Sequence, residues 1–153
     1  IQDCLNIGNI NSQRDWGHAK DYVEMQWLML QQKEPRDYII STGQQYSIRW
    51  FVERCCDYLD IQIEWQGEGL EEKAVVVKAS TDYSSMYVGQ EIIRVHQRYF
   101  RPTEVQSLLG DSSKASLELG WSPKTTITEL VNEMMGSDLE LMKNVLDIPK
   151  AKR

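Results

Sequence analysis

The chain has 153 residues and a net charge of −6, from 17 Lys and Arg against 23 Asp and Glu. It is long enough for one domain with a sizeable core, and too acidic to offer nucleic acid a general binding surface. An apolar share of 41 % with five Trp and seven Tyr argues against disorder, and no apolar run is long enough to span a membrane.

The chain opens Ile1-Gln2-Asp3-Cys4-Leu5-Asn6-Ile7-Gly8-Asn9 without an initiator Met, in the pattern of a strand already under way. We therefore expect the C-terminal part of something longer. The alternation of Cys4, Leu5 and Ile7 with polar residues, closed by Gly8-Asn9, predicts a short strand entering a turn. A polar loop leads from Asn11 into a helix over residues 19–32, whose apolar face reads as Tyr22, Val23, Trp27 and Leu30. Pro35 stops it. Residues 37–41 read as a brief apolar strand closed by Thr42-Gly43, so strand, helix and strand form a βαβ unit.

Ser47 is a good N-cap for the next helix, with Ile48, Phe51, Val52, Cys55 and Leu59 as its buried face. Arg49 in its first turn points to a ligand or to solvent, and the pattern leaves that open. Strands are expected over residues 61–65, 74–78 and 91–95, forming a small sheet apart from the βαβ unit, with residues 80–90 as a surface excursion. His18 and His96 stand alone, without the partner spacing of a catalytic or metal site, and read as structural or solvated. Cys4, Cys55 and Cys56 are odd in number and lack metal-ligand spacing, which fits reduced thiols in the cytoplasm. Gly110-Asp111-Ser112-Ser113 precedes a helix over residues 114–119 with Gly120 at its C′ position. Thr126 and Glu129 form a capping box opening a long helix through Ile127, Leu130, Val131, Met134, Leu139 and Met142, whose methionines read as core filler. The basic residues 150–153 are read as a frayed tail.

Chemistry concentrates at Tyr99-Phe100-Arg101-Pro102-Thr103-Glu104-Val105. Pro102 fixes its own φ and keeps Arg101 out of the helical region. If a helical turn begins at Pro102, Glu104 lies in its first turn, where the helix dipole tolerates an anion. A guanidinium grips phosphate oxygens in pairs, and a carboxylate accepts from neighbouring hydroxyls, so Arg101 and Glu104 suit a phosphate beside a sugar diol. The plain alternative is a turn with a solvated acid.

Several segments in order carry a resemblance: Arg14-Asp15-Trp16-Gly17-His18-Ala19-Lys20-Asp21-Tyr22-Val23, Thr42-Gly43 with Tyr46-Ser47-Ile48-Arg49, Arg101-Pro102-Thr103-Glu104-Val105, and Leu119-Gly120-Trp121-Ser122-Pro123. Together they resemble the C-terminal part of the extended short-chain dehydrogenase/reductase family of nucleotide-sugar enzymes, and within it the GDP-mannose 4,6-dehydratase family. The resemblance implies an α/β fold. Residues 1–45 would lie at the edge of a Rossmann-type sheet, and residues 46–153 would form a smaller lobe that binds the nucleotide sugar. It implies GDP-mannose as substrate, GDP-4-keto-6-deoxymannose as product on the way to GDP-fucose, NADP as cofactor, and a homo-oligomer of two or four subunits. It assigns the diphosphate to Arg14 and Arg101 and the ribose to Glu104. The family's Gly-rich dinucleotide fingerprint, its Tyr-x-x-x-Lys pair and its Thr and Glu catalytic partners are absent. They are expected upstream of Ile1, so no catalytic residue is assigned and these 153 residues alone are expected to be inactive. The alternatives are a non-catalytic GDP-sugar-binding module and a related epimerase or dehydratase for another nucleotide sugar.

Overall fold

The computed structural model describes residues 3–79 and 86–146. Part of the expected surface excursion at 80–90, the start of the first strand and the basic tail lie outside the described residues. Four strands form the main sheet. β4 (Gln62–Gln66), β5 (Lys73–Lys78) and β6 (Glu91–Val95) run antiparallel in sequence order, and β1 (Leu5–Ile7) joins the free edge of β6 in parallel.

The alternation in β5 decides its faces. Ala74 and Val76 are fully buried while Val77 turns outward. Val76 and Ile61 pack against Cys56 of α2 (Ile48–Tyr58), with Val52, Leu59, Ile63 and Ile92 closing around them. Ser47 caps α2 as expected, its Oγ accepting from the Trp50 N–H at 3.1 Å. The β4–β5 hairpin turns through Gly67 at φ 79°, where a Cβ would collide with the Glu71 carbonyl at 2.4 Å. A short 3₁₀ turn, Gly69–Glu71, completes it. The expected three-stranded unit is thus a four-stranded sheet, because β1 pairs with Ile93 and Val95 of β6.

The βαβ expectation does not hold. β1 belongs to the main sheet, and residues 37–41 make no ladder among the described residues. Tyr38 and Ile40 alternate with exposed Asp37 and Ile39 and pack inward on a second core of Met25, Ala115 and Trp121. That core joins α1 (Ala19–Leu30) to α3 (Ser113–Leu119). The face of α1 also differs from expectation. Met25 is fully buried, with Tyr22, Leu28 and Met29 beside it, whereas Val23, Trp27 and Leu30 are 60, 59 and 82 % exposed. The helix carries two apolar stripes, and periodicity alone does not say which one this chain covers.

Gly120 ends α3 in the left-handed region at φ 65°, and the Thr126–Glu129 capping box opens α4 (Ile127–Leu146). α4 packs against α2, and Ile127 and Val131 in its first two turns are buried. Gly136 faces the Tyr58 hydroxyl, which an added Cβ would approach to 3.2 Å. Met134 and Met142 are exposed rather than core-filling, since the buried stripe of α4 ends near Val131. No helix among the described residues is long and apolar enough to cross a membrane.

Asp21 locks the second core to the entry of α4. Its Oδ2 accepts from the Lys124 and Thr125 N–H groups at 3.0 and 2.9 Å, and its carbonyl accepts from the Trp121 indole at 3.0 Å. Burial raises the pKa of this carboxyl, and the Thr125 and Lys124 N–H groups, with the Thr125 side chain and nearby His18, together outweigh it and hold the group below the usual carboxylate range. A lowered folded-state pKa contributes stability above the unfolded value, and that stability is lost as pH falls through the folded value. Asp21→Ala should cost about 1.5–3 kcal/mol at neutral pH. Urea unfolding of both proteins should show the gap narrowing as pH falls below the ordinary carboxylate range. A gap independent of pH would mean that the carboxylate charge is not its source.

Candidate functional site

A second, three-stranded ribbon brings the motif residues together. β2 (Gln13–Arg14) pairs antiparallel with β3 (Tyr46–Ser47) and parallel with β7 (Ser107–Leu108). The pairing of Arg14 with Leu108, with Gln13 N–H donating to the Gln106 carbonyl at 2.8 Å, draws the segment after Arg101 alongside Arg14. Residues 101–104 form a single β-turn, closed by the Glu104 N–H on the Arg101 carbonyl at 3.3 Å. Pro102 occupies the second position, which its fixed φ favours. No helix starts there, because the chain leaves the turn extended to reach β2. Glu104 is therefore held by side chains and gains nothing from a helix dipole.

Arg14 and Arg101 both reach Glu104. Arg14 Nη2 stands 2.5 Å from Glu104 Oε1, and Arg101 Nη1 stands 3.9 Å from Oε2. Arg14 Nη1 also donates to the carbonyls of Gln13 and Val105 at 2.7 and 2.8 Å. The side chains of Arg14 and Glu104 are 25 and 16 % exposed, while that of Arg101 is 78 % exposed. Arg14 is fixed by three partners and Arg101 is held loosely by one. Two guanidiniums on one carboxylate leave a surplus positive charge, with the more mobile of the two facing solvent. A carboxylate offers about four acceptor positions, so Glu104 keeps capacity for hydroxyl donors beside its two arginines.

The residues around this cluster are structural. Asp15 accepts from the Thr42 N–H at 2.9 Å, the Thr42 hydroxyl at 2.6 Å and the Gly43 N–H at 2.9 Å, anchoring the 42–43 loop to the end of β2. His18 is buried, caps α1 through an acceptor contact to the Lys20 N–H at 3.0 Å, and meets Glu133 at 3.2 Å. His96 accepts from the Arg98 N–H at 3.2 Å. Both histidines serve backbone geometry. Arg49, left open by the sequence, is a strut. It pairs with Glu72, donates to Asn11 Oδ1 at 3.1 Å and lies 4.5 Å from the Trp65 ring centre. The three cysteines are free, and burial, with Cys55 and nearby carboxylates adding to it, pushes the Cys56 thiol up to about 12, where it is inert.

A shallow hollow of about 660 Å³ lies at the α1–α3 corner between Gln31, Arg36, Tyr38 and Glu118, and none of the three motif residues lines it. A smaller cavity of about 190 Å³ is lined by Gly8, Asn9, Ser12, Glu72, Phe100 and Gln106. Nothing in their local neighbourhood marks Asp15 or Asn9 as an anchor, since each fastens a segment far along the chain.

The family model described as GDP-mannose 4,6 dehydratase matches residues 1–134. A GDP-mannose 4,6-dehydratase of Vibrio cholerae serotype O1 is 52 % identical over 141 residues, covering 92 % of this chain and 38 % of that protein. A GDP-mannose 4,6 dehydratase of Drosophila melanogaster is 49 % identical over 141 residues, covering 92 % of this chain and 33 % of that protein. The chain thus spans 33–38 % of the length of these curated relatives. Among solved structures, RMD from Pseudomonas aeruginosa complexed with NADPH superposes with a TM-score of 0.61 at 20 % identity, over 92 % of this chain and 37 % of that one. A dTDP-glucose 4,6-dehydratase from Bacillus anthracis in complex with NAD gives 0.62 at 15 %, over 92 % and 36 %. At such identities the two structures establish the mixed α/β fold alone.

Removing the Asp15 carboxylate leaves two backbone donors without their partner, so Asp15→Ala should destabilise the chain by about 1–3 kcal/mol in urea unfolding. Amide exchange at Thr42 and Gly43 should accelerate first. Unchanged exchange at both positions would show that the loop is held by something else.

Proposed function

Because this chain belongs to the GDP-mannose 4,6-dehydratase family, we propose that it supplies the GDP-sugar-binding part of an enzyme converting GDP-mannose to GDP-4-keto-6-deoxymannose. The observation that carries the reading is the meeting of Arg14 and Arg101 on Glu104 from segments 90 residues apart. Arg101, exposed and loosely paired, swings onto the diphosphate. Arg14 stays in its three contacts and contributes charge at short range. Glu104 accepts from the ribose hydroxyls on the acceptor positions its arginines leave open. Together they orient the sugar and exclude misplaced diphosphates; the bond-making groups are not among them.

The described residues do not fit a nicotinamide dinucleotide. Such a cofactor needs a strand, a Gly-rich turn and a helix N-terminus open to the pyrophosphate. Here β1 runs into β2 without a helix, and the N-termini of α1 and α2 are closed by the side chains of His18 and Ser47. We assign NADP to the part of the family's length that this chain does not span, and derive no step through it here. The NADPH and NAD named for the two superposed structures support a nicotinamide cofactor in general. The exposed stripe of Val23, Trp27 and Leu30 and the unladdered residues 37–41 support residues 1–45 as the border toward that part. A homo-oligomer in the cytoplasm, where free thiols persist, completes the proposal.

Calorimetric titration tests it. The chain should bind GDP, turn over no GDP-mannose by itself, and lose about tenfold in affinity on Arg101→Ala or Glu104→Ala with its circular dichroism unchanged, as loss of a charge-assisted contact predicts. Unaltered affinity in both variants would reduce the motif to a turn. Preference for UDP- or dTDP-sugars over GDP-mannose would move the chain to another nucleotide-sugar enzyme.

A further inference from the structure

Gly8 and Asn9, between β1 and β2, have no part in the ligand contacts proposed above, yet the turn at 101–104 is fastened to them. A Cβ at Gly8 would stand 2.3 Å from the Tyr99 carbonyl oxygen and 3.0 Å from its carbon, so no side chain fits between the two backbones. Asn9 follows with its carboxamide set edge-on against Arg101. Its Oδ1 accepts from the Arg101 N–H at 2.8 Å, and its Nδ2 donates to the Arg101 carbonyl at 2.9 Å. An N–H requires an acceptor and a carbonyl a donor, so a single orientation of the amide serves both. The clamp crosses 92 residues of sequence.

The loop that carries the clamp is itself braced. The Arg49 N–H donates to the Ile10 carbonyl at 2.8 Å, and the Ser12 N–H to the Asn9 carbonyl at 3.3 Å. The Arg49 guanidinium, fixed on Glu72 and Trp65, donates to Asn11. The far end of the turn is held from β2, where Arg14 pairs with Glu104 and donates to the Val105 carbonyl at 2.8 Å. Its near end has less, since the closing hydrogen bond is long at 3.3 Å and the Arg101 side chain makes only the 3.9 Å contact to Glu104. The Asn9 clamp on the Arg101 backbone fixes that near end.

We propose that Asn9, seated by Gly8, is the positioning residue of the diphosphate site. It acts through the Arg101 backbone to set the Arg101 side chain toward Glu104, which Arg14 already holds, and makes no contact of its own to the ligand. This inference rests on the GDP-sugar reading of that cluster. Substituting Asn9 therefore removes the advantage that Arg101 confers, and little beyond it.

A double-mutant cycle on the full chain tests the assignment, with GDP calorimetry and amide exchange at Arg101 as its two readouts. Asn9→Ala should weaken GDP binding about tenfold in the native background and by less than about twofold when Arg101 is already Ala. It should also release the Arg101 amide to fast exchange. Equal losses in both backgrounds would overturn the proposal, because Asn9 would then act by another route. So would an Arg101 amide that stays protected in Asn9→Ala. Asn9→Asp, which keeps the acceptor and loses the donor, should give an intermediate loss and serves if the Ala variant does not fold. A native chain that fails to bind GDP would sink the ligand reading, while the exchange measurement would still decide whether Asn9 holds Arg101.

Discussion

One carboxylate organises this site. Glu104 is largely buried and lies between a guanidinium fixed in a ribbon and another carried by a turn. A half-buried acid with a single partner would be marginal, since the cost of removing its charge from water is repaid only by good geometry and further hydrogen bonds. Arg14 supplies that geometry because β2 pairs on both sides, so its side chain leaves the ribbon at a fixed point. Arg101 adds charge without adding order. The asymmetry between a locked and a loose arginine follows from where each stands in the fold, one in a ladder and the other at the tip of a turn.

The features that the sequence disclosed are those decided within a few residues. Ser47 as an N-cap, Gly120 as a left-handed stop and the Thr126–Glu129 box all form as read, because each is closed by a partner one turn away. The strands expected over 61–65, 74–78 and 91–95 form within a residue of those bounds. Pairing was not legible in this way. Nothing near Leu5 announces that its neighbour is Ile93, and nothing in residues 37–41 says that the segment will rest on Met25 and Trp121 without joining a ladder. The site divides in the same way. Arg14, Arg101 and Glu104 could be named from residue chemistry and resemblance, whereas Asn9 became visible only when folding brought it to Arg101.

Helix α1 shows why periodicity misassigned its face. It bears Tyr22, Met25, Leu28 and Met29 on one side and Val23, Trp27 and Leu30 on the other. Both stripes satisfy a 3.6-residue repeat, and both would gain about 25 cal/mol per Å² on burial. The short chain between Pro35 and Ser41 can fold back over only one of them. It covers the stripe from which Asp21 also reaches the Lys124–Thr125 backbone, so the polar anchor selects the apolar face. The other stripe stays in water, an apolar patch too continuous to be the scatter expected of a free surface.

Short polar side chains do the long-range fastening throughout: Asn9 to Arg101, Asp15 to Thr42 and Gly43, Asp21 to Lys124 and Thr125. Each binds backbone N–H groups, and Asx side chains lose few rotamers in doing so compared with a Lys or Arg in an ion pair. Loops held this way sit at fixed distances from the sheets, whereas surface ion pairs such as Lys78–Asp60 leave both partners largely solvated. The consequence for ligand binding is energetic. On the proposed reading, with Arg14, Glu104 and the turn backbone already in place, association would have to immobilise chiefly the Arg101 side chain, at about 0.5–1.5 kcal/mol. A site of three charged residues on flexible loops would lose most of its charge-assisted gain to ordering, and the anchors at Asn9 on Arg101 and at Asp15 beside Arg14 work against that loss.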